Sequence, residues 1–120
     1  MKHVIYIIIG VAAAVTLASC SKQGDAERLV REFVAQNAVA PDELVTLGFG
    51  NLDSTKVIRD SLVLDMRTRD NPLFKKHIDY PVRTSGRMLY FLRTTFACKN
   101  DTVQHTFYMD ETLERVVAFK

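Results

Sequence analysis

Cys20 is the first residue of this 120-residue chain whose type and setting point to chemistry. It closes Leu17-Ala18-Ser19-Cys20, at the end of a charge-free run that begins at Val4. Small residues after an apolar run are where a processing enzyme cuts an exported chain, and a cysteine thiolate is a nucleophile. The remaining residues offer little else. His77, His105 and Cys98 are soft ligands, but no HxH, HExxH or CxxC spacing joins them. Ser54, Ser61 and Ser85 lie outside any GxSxG elbow, and Cys98 has no identifiable base. Asp60, Asp65 and Asp70 recur at intervals of five, which suits neither one helix face nor a calcium loop with ligands at alternate positions. No glycine-rich phosphate loop occurs. The chain therefore predicts no metal and no cofactor and carries no motif of an enzyme, while a pair of carboxylates meeting in space leaves catalysis open.

Lys2 and His3 precede the apolar run Val4–Leu17, and Ser19 to Asp25 is polar. A basic start, an apolar stretch of this length and small residues at its end have the shape of a secretory signal. A permanent span needs about 20 apolar residues, so the run is short for one. On the residues alone, an ordinary cleaved signal with a free Cys20, an uncleaved anchor and a buried helix stay open. Leu17-Ala18-Ser19-Cys20 resembles the lipobox of bacterial lipoproteins. The resemblance implies a diacylglyceryl thioether on Cys20, cleavage before it and acylation of the new amino terminus. Ser21 in place of Asp after the cysteine implies the periplasmic face of the outer membrane. Residues 1–19 then read as a signal peptide, 20–24 as a lipidated tether and 25–120 as a single domain, with the membrane as partner through the lipid on Cys20. Each buried CH₂ adds about 0.8 kcal/mol, so two or more acyl chains hold a protein firmly.

Cleavage before Cys20 leaves 101 residues with fifteen basic and fourteen acidic groups. That length makes one domain able to bury its own core. So even a balance, behind an export signal, argues against nucleic acid as partner. With Cys20 committed to lipid, Cys98 is the last thiol, and an internal disulfide is excluded. Cys98 reads as a small buried apolar residue, with pairing between chains as the alternative.

The elements that must position these residues follow from periodicity. Leu29, Val30, Phe33, Val34 and Ala38 recur at helical spacing, which predicts an amphipathic helix over about 25–39. Asp25 suits its N-cap, Glu27–Arg31 and Arg28–Glu32 suit i,i+4 pairs, and Pro41 ends it. Leu44 to Phe49 predicts a strand loosened by Gly48 and Gly50. In 57–66, Leu62, Leu64 and Met66 alternate with Val63 and Asp65; alternation favours a strand, while Ser54 leaves a capped helix open. Residues 68–86 hold Asn71-Pro72, Tyr80-Pro81 and Ser85-Gly86 and read as loop, with one helical turn at 73–77. Met88, Tyr90, Leu92, Phe96 and Cys98 line one face of a strand, and Val103, His105, Phe107 and Met109 line one face of the next. Lys99-Asn100-Asp101 turns between them, and 113–119 adds a third strand. The predicted fold is α+β: one N-terminal amphipathic helix on an antiparallel sheet of four to five strands ending in a meander.

Phe49-Gly50-Asn51-Leu52-Asp53-Ser54, Thr95 to Asn100 and Thr106 to Asp110 resemble segments of small uncharacterised envelope lipoproteins of Gram-negative bacteria. The likeness spans most of the mature chain in short motifs, and it brings no activity. What remains is charge. Residues 56–99 carry ten basic and four acidic groups, whereas 20–55 and 100–120 are net acidic. Such asymmetry can mark an anion-binding face, for which Lys75, Lys76, Arg83 and Arg87 are the candidates, or simply a solvated surface paired with its acidic flanks. The expected function is a lipid-anchored, non-enzymatic binding or assembly module whose partner is another envelope protein or an anionic envelope polymer. The alternative is a small-ligand-binding or hydrolytic domain with a pocket between helix and sheet.

Overall fold

The computed structural model describes residues 17–56, 58–81 and 88–120, with side chains from Lys22 onward. The elements run α1 (Leu17–Asn37), a 3₁₀ turn (Pro41–Glu43), β1 (Leu44–Phe49), β2 (Asp53–Thr55), α2 (Asp60–Thr68), β3 (Leu89–Cys98), β4 (Asp101–Met109) and β5 (Val116–Phe119). All strand pairs are antiparallel. β1 and β2 share one edge of β3, β4 lies on its other side, and β5 closes the order. The expected α+β class, the helix ahead of the sheet and the closing meander are all present.

α1 covers one face of the sheet. Ala26, Val30, Phe33, Val34 and Ala38 are buried at helical spacing, against Leu92 and Phe96 of β3, Phe107 and Met109 of β4, and Val116 and Phe119 of β5. Of the predicted inward row, Tyr90, Leu92, Phe96 and Cys98 face this core, joined by Thr94, which is fully buried, whereas Met88 precedes the strand. Cys98 is half-buried and packs against this core. α2 covers one end of the opposite face, where Ile58, Val63 and Met66 meet Leu89, Tyr108, Val117 and Ala118. That second layer explains why all four residues of β5 are buried.

Four local expectations are corrected. First, α1 continues through residues 20–24, so the stretch read as a tether is helical, and Asp25 lies inside the helix, 3.5 Å from Arg28, rather than capping it. Second, the segment favoured as a strand at 57–66 holds the helix Asp60–Thr68. Its buried residues are Val63 and Met66, three apart; Leu62 and Leu64, which supplied the period-two pattern, are exposed. Third, β2 was not anticipated. Its three residues are held by pairing to Phe91, Tyr90 and Leu89, not by a pattern of their own. Fourth, residues 73–77 form no helical turn. Pro72 and Leu73 make a tight turn, and Phe74 bridges back to Ala38. The two charge pairs expected on α1 are not the ones seen: Glu27 accepts from Gln23 at 2.8 Å and the Arg31 guanidinium sits 5.0 Å from the Phe49 ring centre, while Arg28 pairs with Asp25.

Candidate functional site

The first pair of basic candidates lies at the carboxyl end of α1. Lys75 is drawn onto that helix end: its backbone N–H donates to Asn37 O at 2.8 Å and its Nζ to Gln36 O at 3.0 Å. An ammonium there satisfies carbonyls that the helix leaves unpaired and complements the negative end of its dipole. Lys75 therefore caps α1. Lys76, next to it, is exposed and lines a cleft of about 560 Å³ with Arg67, Thr68, His77, Ile78, Asp79 and Tyr80. Arg83 and Arg87 lie outside the described residues.

α2 builds one wall of the cleft and the segment 76–80 the other. Arg67 is its strut. Its Nε donates to Val117 O at 2.7 Å and its Nη2 to Pro81 O at 2.8 Å, while the guanidinium lies 4.9 Å from the centre of the Tyr80 ring. The planar fork suits two carbonyls on different elements, which a lysine cannot reproduce. Burial pushes the Tyr80 phenol up to about 12 against the opposing pull of Arg67, so it stays protonated at physiological pH. Behind it, Tyr80 stacks on Phe33 at 6.1 Å and ties the cleft to the core. The rim carries Lys76 and His77 against one carboxylate, Asp79, and all three are exposed. This arrangement can hold a carboxylate or phosphate by charge. It contains no nucleophile–base pair.

A second cleft, about 290 Å³, opens where α1 meets the β4–β5 turn, and its lining includes Glu32, Asp79, Glu114 and Arg115. These carboxylates are exposed to water. The space between helix and sheet itself is filled by Val30, Phe33, Phe107 and Phe119. Among the described residues, no group of three or more His, Cys, Asp or Glu side chains is arranged to hold a metal ion. No helix among them is long and apolar enough to cross a membrane.

His105 takes the half-buried strand position expected of it, but its surroundings were not foreseen. The rings of Phe74, Phe96 and Phe119 lie 5.8, 6.4 and 5.7 Å from its own. Nδ1 is 3.3 Å from Lys120 O, which can only accept, so Nδ1 carries the proton. Nε2 is buried without a hydrogen-bond partner, as is Oγ1 of Thr94, the residue directly opposite on β3. Only the pairing of the strands reveals this couple; neither residue signals it alone. Burial holds the imidazole below its usual range, outweighing the Lys120 carbonyl that favours the charged form. The unfolded chain takes up the proton near pH 6.5 and the folded chain only at lower pH. Between those values the unfolded state holds more protons, so stability falls as the pH falls. We expect denaturation midpoints to be level just above pH 6.5 and to drop below it, by no more than about 1.4 kcal/mol per pH unit, the limit for one proton. The His105→Phe variant should lose this slope below about pH 6.5; an unchanged slope would remove His105 as its origin.

No protein-family model, curated protein or solved structure matches this chain.

Proposed function

We propose that the chain is a lipoprotein of the cell envelope, held through lipid on Cys20 at the periplasmic face of the outer membrane, and that its folded part is a binding or assembly module rather than an enzyme. The anchor rests on Leu17-Ala18-Ser19-Cys20 behind a charge-free run. The observation that carries the binding role is the cationic cleft at Lys76, which is open, polar-rimmed and supported by the Arg67 strut. Its chemistry fits the carboxylates of an anionic envelope polymer such as peptidoglycan. The filled space between helix and sheet weighs against a ligand-binding or hydrolytic pocket there.

Lys76 is the residue to test, and not Lys75, because reversing Lys75 would also strip the cap from α1. Purified full-length protein in detergent should co-sediment with peptidoglycan sacculi. Lys76→Glu should weaken that association several-fold while leaving the denaturation midpoint in place, and added salt should act in the same direction, because screening shortens the reach of exposed charge to about 8 Å at physiological ionic strength. Sedimentation that ignores both the charge reversal and the salt would sink the polymer as partner. Crosslinking in intact cells from residue 76 would then show whether a protein occupies the cleft instead.

A further inference from the structure

The amino-terminal end of α1 is fastened to the β1–β2 connection by Gln23 and to β3 by Lys22. Gln23 Oε1 accepts from Leu52 N at 2.8 Å, and its Nε2 donates to Gly50 O at 3.0 Å and to Glu27 Oε2 at 2.8 Å. Lys22 Nζ lies 3.4 Å from the Tyr90 hydroxyl and 5.9 Å from that ring's centre. Cys20 stands in the same helix, roughly 4.5 Å along its axis before Gln23 at about 1.5 Å per residue. There is no slack between the anchor and the domain. A leash would let the domain tumble; a helix already docked onto β1–β2 does not.

We infer that the lipidated domain stands on its membrane in one orientation, with Lys22, Leu52, Asp53, Ser54 and Tyr90 seated on phospholipid headgroups and the β3–β4 turn pointing away. The inference rests on the proposed lipid at Cys20. Those five residues, with Gln23, line a cleft of about 270 Å³ beside the amino-terminal part of α1. Their chemistry matches a zwitterionic headgroup. Lys22, Ser54 and Tyr90 can donate to phosphate oxygens, and Asp53 can accept from the ammonium of an ethanolamine. Tyr and Lys also suit an interface, because each has an apolar body and a polar tip. α1 and β3 run side by side from this end: Lys22 meets Tyr90, and beyond the helix Val39 lies with Cys98. At about 1.5 Å per residue, Asn37, which holds Lys75, is roughly 25 Å from Cys20. That is beyond the screening length of about 8 Å. The Lys76 cleft therefore serves a partner outside the bilayer that holds Cys20.

The test uses the full lipidated protein, carrying Cys98→Ser, in vesicles of phosphatidylethanolamine and phosphatidylglycerol doped with headgroup-nitroxide lipid. Single cysteines at two exposed positions, Lys56→Cys beside β2 and Asn100→Cys in the β3–β4 turn, carry a bimane fluorophore; Cys20 is a thioether and does not react. Quenching should be several-fold stronger at 56 than at 100. A flexible Gly/Ser insertion between Ser21 and Lys22 should erase that contrast while the protein still floats with the vesicles. Equal quenching at both positions without the insertion, or a contrast that survives it, would overturn the fixed orientation. Protein that carries no fatty acid and fails to float would instead overturn the anchor, and the orientation with it.

Discussion

Phe33→Ala should lower the stability of the domain by about 3–5 kcal/mol, a large share of the roughly 5–15 kcal/mol available to a domain of this size. Phe33 is 8% exposed and is the contact through which α1 grips the sheet. Its ring lies 5.8 Å from Phe107 and 5.7 Å from Phe119, both edge-on, and 6.1 Å from Phe74 and Tyr80. Truncation removes the transfer energy of the ring and opens a cavity among four aromatic neighbours, which cannot collapse without leaving their own contacts. Arg31 on the same helix provides the contrast. It is exposed and has the Phe49 face as its contact, so Arg31→Ala should cost less than about 1 kcal/mol. Chemical denaturation monitored by circular dichroism measures both. Coincident midpoints for Phe33→Ala and the parent would mean that α1 does not hold the sheet as described.

The residues that made this fold legible are those whose burial and periodicity agree. Val30, Phe33, Val34 and Ala38 are buried where a 3.6-residue repeat puts them, and Leu92, Phe96, Phe107 and Met109 where alternation puts them. α2 was not legible for the converse reason. Its alternating leucines are its wet side, 46% exposed at Leu62 and 62% at Leu64, and nine residues are too few for the helical period to outvote a chance alternation. Gln23 shows a different limit. Nothing about a glutamine in a polar stretch says that its amide will meet Gly50 and Leu52, because that contact is made by the fold.

The basic middle of the chain shows the same limit at the candidate site. Reading charges along a sequence treats each as exposed and unengaged. Lys75 is held by the end of α1, Arg69 by Asp65 at 2.8 Å, and Arg67 by two carbonyls and a ring. Arg93 stands on β3, one residue from the buried row, with its carbonyl taking Gly50 N at 2.7 Å. Three of these cations do structural work, and they are spread over both layers. Lys75 and Lys76 are both exposed, and of the two it is Lys75 that is tied to the end of α1, which leaves Lys76 as the candidate for an anion-binding role. A net charge over a segment therefore overstates a site whenever the segment also makes the chain's turns and helix ends.

Cys20→Ala should have the largest effect on where the protein resides. Thioether formation needs the cysteine sulfur, and alanine supplies a side chain of suitable size with no nucleophile. Cleavage in such a pathway follows lipid attachment, so the variant should run as a larger, unprocessed species, take up no radiolabelled palmitate and lose its stable place in the membrane fraction. The energetics set the size of the change. At about 0.8 kcal/mol per buried CH₂, one chain binds reversibly while two or more act as a permanent anchor. With the lipid gone, the unprocessed chain keeps the apolar run Val4–Leu17, which is short for a permanent span, and the headgroup contacts of Lys22, Ser54 and Tyr90, which are too weak to keep a domain on a bilayer in high salt. Cys98→Ser serves as the control, since Cys98 is folded against the core and should leave processing and labelling unchanged. If Cys20→Ala still takes up palmitate and remains in the membrane fraction after a salt wash, then Cys20 is not the point of attachment, and both the lipoprotein reading and the fixed orientation derived from it fail together.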